Sequence, residues 1–368
     1  MEPKQGSGWG RVWRRWRWEL LALSAVLLRA FLPPTAIEWV YSRGLFQGVR
    51  LLFDGLSALC PFPMVYLLAV LLLGWLFWKA HRFWRHRLPP RVRWLRMGKG
   101  LLSFFSAVVF FFLLLWGFNY GRLPVHRLMG FPLEELSLKD LRAELEHSTG
   151  ELVTFRATIP GAGEEALAPE WPPGLVDTMR RHLTAVLAKA GLPVRGRVRL
   201  RMLKPRGILL RISTAGVYIP FTGEGHADAG LHPLQLPFVA AHELAHGYGF
   251  GDEGTCNFLA YLACRRAEDP RTRYAGQLAY WRYVGANYRF YDPEGWQRFF
   301  EEQVPPGVKN DLEAIWAEME KYPDLFPRLR DAAYDTYLKA QGIEEGQLNY
   351  SKVIGLVWSW RRMGGSAE

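Results

Sequence analysis

The sequence predicts an α+β protein in two parts: a bundle of about three transmembrane helices over residues 1–120, then a mainly helical domain with a small antiparallel sheet over residues 121–368. Three observations lead there. Long uncharged apolar runs are confined to the first 120 residues. After Gly121 the composition becomes that of an ordinary soluble domain, with enough apolar material for its own core. Within that domain the apolar spacing is near that of a helix, except around residues 197–221, where it falls to two.

Of the three apolar runs, 101–119 has no charge in 19 positions and suits one crossing of a roughly 30 Å hydrocarbon layer. The run 62–78 is also uncharged. The run 16–32 carries Arg17, Glu19 and Arg29. It is expected to stay as an anchor, because Pro33-Pro34-Thr35-Ala36 is a poor cleavage site and Arg29 can snorkel to the interface. Basic loops remain on the cytoplasmic side. Residues 79–100 hold eight Lys and Arg and no acid, whereas 33–61 reads as an outer loop, its Arg43 and Arg50 offset by Glu38 and Asp54. The expected location is therefore the cytoplasmic (inner) membrane of a bacterium, with everything after about residue 120 extracytoplasmic. Ten of the 16 Trp precede residue 120, mostly near segment ends, as in an interfacial aromatic belt.

The same stretches explain the net charge of +11, from 46 Lys and Arg against 35 Asp and Glu. Residues 1–18 and 79–100 together carry +12, so the rest of the chain is close to neutral. That excludes a basic surface tracking phosphates, and no nucleic-acid partner is expected. The partners expected are the lipid bilayer and a peptide or envelope-protein substrate. Cys60, Cys256 and Cys264 form no disulfide framework, since two helical turns separate the last two by roughly 12 Å.

Beyond the anchor, residues 132–147 and 175–190 read as amphipathic helices separated by the Gly/Pro-rich stretch 160–174. Alternation over 197–202 and 208–212, with turns at 205–207 and 214–216 and a third run at 217–221, predicts the antiparallel sheet. Residues 237–360 read as mainly helical. Glu224, His226 and Asp228 follow the third run and suit a polar loop better than a second metal site.

The chemistry lies in Pro237-Phe-Val-Ala-Ala-His-Glu-Leu-Ala-His-Gly247. Pro is tolerated in a first helical turn and Gly ends a helix. His242 and His246, four apart, share one face and can bind one metal ion, and Glu243 is placed to take a proton from a bound water. This composition produces such a pattern by chance about 0.014 times per chain. No other charge falls between Pro237 and Gly251, as expected of a buried helix. Zinc needs a third protein ligand. Glu253, which opens the next helix and lies four before Asn257, is the expected one. Asp252 is the alternative, and otherwise suits the N-cap of that helix.

The chain resembles the bacterial membrane family catalogued as domain of unknown function 3810, a zincin-like group. The resemblance rests on IEWVYSRGLF at 37–46, PFPMVYLL at 61–68, LLWGFNYGR at 114–122, GVYIPFTGEGHAD at 216–228, HELAHGYGFGDEGTCNFLAYLAC at 242–264 and AYDTYLKAQG at 333–342. It implies a zincin-like domain, with Glu253 as the family glutamate and Asn257 hydrogen-bonding a zinc histidine from outside the metal shell. Thr255 and Cys256 stand where relatives tend to have Glu and Ala. In zinc peptidases generally an edge strand before the motif helix receives the substrate backbone, and Val217–Phe221 is in position for it. Tyr334, Tyr337 or His232 could donate to the oxyanion, or simply pack in the core.

The resulting expectation is a membrane-anchored zinc metallopeptidase. His242, His246 and Glu253 hold zinc with a water in the open position, and Glu243 is the general base. The alternative is a catalytically inactive membrane scaffold or peptide-binding protein that keeps the zincin fold.

Overall fold

The computed structural model describes residues 8–85, 89–171, 173–343 and 351–365. The chain is mostly helical. It begins with α1 (Gly8–Phe31), short α2 (Pro34–Ala36), a wide π-helical segment (Ile37–Leu45), α3 (Phe46–Ala58), α4 (Met64–Arg85) and α5 (Pro90–Leu115). Helices α4 and α5 are each long and apolar enough to cross a membrane. The expected first span behaves differently: Trp13–Phe31 reaches that measure only together with Pro34–Ala58, from which it is bent by 113°. Its charge at Glu19 is paired with Lys99 of α5, against which α1 packs.

A 3-10 turn (Gly117–Gly121) and α6 (Val125–Leu128) lead into α7 (Leu138–Ala157) and α8 (Leu175–Lys189). Helix α7 starts later than the apolar pattern suggests because Ser137 and Asp140 form a reciprocal capping box there. Then come β1 (Leu200–Leu203), β2 (Gly216–Ile219), β3 (Glu224–Asp228), α9 (Leu236–Gly247), α10 (Glu253–Arg265), α11 (Pro270–Tyr291), α12 (Pro293–Gln303), α13 (Pro306–Glu320), α14 (Pro327–Ala340) and α15 (Lys352–Arg362). Helices α10, α11 and α12 each open on an aspartate, Asp252, Asp269 and Asp292, that accepts a backbone N–H of the first turn. Helix α10 is the centre of the domain: every residue from Gly254 to Cys264 is buried, and α8, α9, α11 and α15 pack around it. All three cysteines are free.

The sheet corrects the expectation of an antiparallel one. It is mixed, with strand order β1-β3-β2: β1 runs parallel to β3, and β2 antiparallel to it. Residues 208–212 are not a strand. The Asp228 carboxylate accepts from Gly207 and Leu209 at 2.7 Å and from Leu210 at 3.1 Å, while Ile208, Arg211 and Ile212 donate to the carbonyls of Pro205, Gly207 and Leu209. The chain there curls into turns and a 3-10 helix (Leu210–Ile212). The missing strand is Glu224–Asp228, the polar stretch expected as a loop; it is the central strand and wholly buried.

Residues 33–61, expected as an outer loop, are largely helical and packed. Ile37, Tyr41, Phe46, Arg50 and Phe53 are buried. The boundary near residue 120 is likewise a packed junction, with Trp116 buried against Tyr218 of β2 and His246 of α9.

Candidate metal centre

Helix α9 presents His242 and His246 on one face, and α10 begins six residues after α9 ends, so that Glu253 in its first turn meets them. The turn between them depends on Gly249, whose φ of +91° suits glycine and whose missing side chain leaves room for Phe46. Asp252 takes the N-cap, accepting from Thr255 N at 2.7 Å and pairing with Lys352 at 3.0 Å, which turns its carboxylate away from the histidines. The two neighbouring acids thus separate. Among the described residues, His242, His246 and Glu253 form the one compact cluster of metal-ligating groups.

Its geometry is that of a ligand set. His242 Nε2 and His246 Nε2 are 3.1 Å apart, and Glu253 Oε2 lies 3.1 Å from the first and 3.3 Å from the second. An ion held tetrahedrally at zinc distances separates its ligands by roughly 3.3–3.4 Å. The other ring nitrogens point outward: His242 Nδ1 lies 2.8 Å from Asn257 Oδ1, and His246 Nδ1 lies 2.8 Å from the carbonyl of Phe250. Neutral imidazoles donating there leave both Nε2 lone pairs facing the shared point. Asn257 also bonds the Tyr283 hydroxyl of α11, which fixes its amide orientation. Cys256 Sγ is 3.4 Å from His246 Nδ1, on the outward side, and burial pushes its thiol up to about 11.

Charge makes the site cation-seeking. Burial opposes the Glu253 carboxylate, but His246 and the hydrogen bonds from both imidazoles outweigh it and hold its pKa below the ordinary range. Burial also opposes a charged His246, yet Cys256 and Glu253 hold its pKa well above the usual imidazole value. Without a metal, a proton fills the position that the three donors favour for positive charge.

Glu243 is buried in the same cavity, its Oε2 has no hydrogen-bond partner, and burial raises its pKa to about 7. Its room comes from glycines on two strands. A Cβ at Gly216 would come within 2.7 Å of Glu243 Oε1, and one at Gly225 within 2.9 Å of Glu243 Cβ. The cavity measures about 1280 Å³, with β2 as one wall, α11 as another and Trp116, Tyr120 and Tyr337 at one side. Strand β2 is an edge strand, so one side of its backbone is unpaired toward this space. Arg282 of α11 also lines it.

Of the suggested oxyanion donors, Tyr337 lines the cavity, 3.1 Å from the Tyr120 hydroxyl. His232 does not: its Nδ1 accepts from Leu234 N and caps the 3-10 turn before α9. The side chain of Tyr334 lies outside the described part. The suggested second site is also absent among the described residues, because Glu224 accepts from Arg201 at 2.7 Å, from Met64 N at 2.8 Å and from Ser57, while Asp228 holds backbone N–H groups.

Sequence reasoning missed the contacts that tie the centre to the N-terminal helices. Trp116, in the turn after α5, donates its indole N–H to the carbonyl of His246 at 2.8 Å. Arg122 bonds Glu38 through two nitrogens at 2.9 Å and the carbonyl of Gly249 at 2.7 Å. These residues fall in stretches of family resemblance, but nothing local in them points to α9.

Fold and site together define a class: a mainly helical protein with candidate membrane-spanning helices and a buried His-His-Glu triangle beside a second, unpartnered glutamate. The chain belongs to the family described as Protein of unknown function (DUF3810), whose model matches residues 41–358. Neither the curated proteins nor the solved structures contain a match.

Proposed function

We propose that this chain is a membrane-anchored zinc metallopeptidase of zincin-like type, with its working domain outside the bacterial cytoplasmic membrane. The observation that carries the reading is the convergence of His242 Nε2, His246 Nε2 and Glu253 Oε2 within 3.1–3.3 Å, next to a Glu243 carboxylate with an unpartnered oxygen. Two imidazoles and a carboxylate are a known donor set for catalytic zinc. When bound, zinc would supply Lewis acidity to a substrate carbonyl and acidify water.

The chain's own residues carry the rest. Glu243, with a pKa raised to about 7 in the metal-free protein, is suited to accept a proton from water and return it to a leaving amine. Asn257 and the Phe250 carbonyl keep the imidazoles in the binding tautomer. The open edge of β2 offers backbone pairing to an extended peptide. The size of the cavity and its apolar walls suit several residues of such a chain.

The test is metal analysis of the purified full chain, followed by cleavage of a peptide library by wild type and Glu243→Gln. One zinc per chain in both proteins, with turnover lower in the variant by about 10²–10⁴, is the expected result. Absence of bound metal, or equal cleavage by both proteins, would return the chain to the scaffold reading.

A further inference from the structure

Helix α3 buries a mixed face, with Phe46 and Phe53 beside polar residues, and leaves an apolar face bare, unlike a helix in water. Gln47, Arg50 and Ser57 are buried on the face that meets the domain, and Asp54 is half-buried there. Arg50 donates to the carbonyl of Gly223 at 3.0 Å and to the Tyr218 hydroxyl at 3.3 Å. Asp54 accepts from Arg199 at 2.6 Å and from Arg197 N at 2.9 Å, and the Ser57 hydroxyl donates to Glu224. The opposite face carries Leu51, Leu52 and Leu56, exposed by 48%, 59% and 43%, interrupted only by Gly48, Gly55 and Ala58. Leu59 extends this arc, and Trp39 and Val40 of the preceding segment are exposed by 65% and 71%. At roughly 100° per residue the bare residues of α3 form one contiguous arc without a polar side chain.

We infer that α3 lies flat in the bilayer interface, with its apolar arc among the acyl chains of one leaflet and the sheet of the metal centre seated on its polar face. Three observations select lipid as the occupant. The chain that follows is of membrane type, since α4 is long and apolar enough to cross a bilayer, and exposed Leu59 and Phe62 carry the apolar surface directly into it. The 113° bend turns Pro34–Ala58 nearly across the axis of α1, which packs along the candidate span α5, as a segment lying in the membrane plane requires. The polar face is bonded to the domain, so the helix cannot cross the bilayer without carrying the sheet with it. The contacts of Arg50 with Tyr218 of β2, of Ser57 with Glu224 of β3 and of Asp54 with Arg197 and Arg199 before β1 then hold the sheet at a fixed height above that leaflet.

Site-directed spin labelling of the full chain tests this. A Cys60→Ser background, with buried Cys256 and Cys264 kept, receives single changes Leu52→Cys, Leu56→Cys and, for reference in α4, Leu71→Cys. Each is labelled and reconstituted in phosphatidylcholine–phosphatidylglycerol vesicles, and power saturation is measured with oxygen and with a nickel chelate. At positions 52 and 56 oxygen accessibility is expected to exceed nickel accessibility severalfold, at a depth shallower than at position 71. Depth equal to that at 71 would mean a crossing segment, nickel accessibility above oxygen an aqueous face, and low accessibility to both a protein partner; each overturns the inference. Should Leu52→Cys impair folding, Leu59→Cys on the same arc reports the same quantity.

Discussion

Glu224, His226 and Asp228 on one face of the sheet, and His242, His246 and Glu253 beyond the other, are two buried clusters of similar composition. They differ in where their polar atoms point. In the strand cluster each carboxylate is satisfied separately, Glu224 by Arg201, Ser57 and a backbone N–H, Asp228 by backbone N–H groups alone. His226 stands apart from both, with neither ring nitrogen bonded and its pKa lowered by burial to about 4. In the helix cluster the outward nitrogens are occupied and the inward ring nitrogens meet a carboxylate oxygen at one point. Composition therefore does not distinguish a structural cluster from a ligand set; convergence does.

The largest effect that sharpens this contrast is loss of metal. Glu253→Ala is expected to weaken zinc binding by more than about 100-fold, the upper figure for losing a mere outer-shell partner, read by metal titration of the purified protein. Zinc that survives this change but is lost in Asp252→Ala would reverse the choice between the two acids. In the strand cluster, Glu224→Leu should leave zinc stoichiometry untouched and cost about 3–5 kcal/mol of stability by stranding Arg201, seen as a lower denaturation midpoint.

A smaller effect separates the clusters by pH. Because His226 is held neutral in the fold, the unfolded chain takes a proton between about pH 6.5 and 4 that the folded one refuses. Stability should fall across that window by about 3 kcal/mol in all, and His226→Leu should remove that part of the dependence. Smallest is the cap: Asp252→Ala should cost about 1 kcal/mol and leave metal content unchanged.

Much of the site was legible because it is local. The four-residue spacing of His242 and His246, the start of a helix at Glu253 and the cap at Asp252 are relations within one or two helical turns, and they stand in the structure as read. The pairing of Asn257 with His242 was also readable, through the family pattern. What was not legible depends on segments far apart in the chain. Residues 208–212 have strand-like alternation, but the carboxylate of Asp228 takes the N–H groups of Leu209 and Leu210 and local turns take the others, and no pattern within five residues reports the part played by Asp228. Glu224–Asp228 was hidden for the opposite reason, since a polar strand buried on both faces lacks the apolar alternation that marks one. Residues 33–61 read as an outer loop from their balanced charges, Arg43 and Arg50 against Glu38 and Asp54, and that balance says nothing of the helices the segment forms.

The sequence by itself determined the apolar helices, the orientation of histidines along α9 and the acid placed to join them, because these follow from helical periodicity and capping chemistry. Only the tertiary structure decided which strands pair, which glycines make way for Glu243, and that Trp116 and Arg122 join the N-terminal helices to the end of α9 and the turn after it. Apart from the β2–β3 hairpin, those outcomes rest on hydrogen bonds and close contacts between residues far apart in the chain, where local propensity carries no information and the requirement to satisfy buried polar groups does.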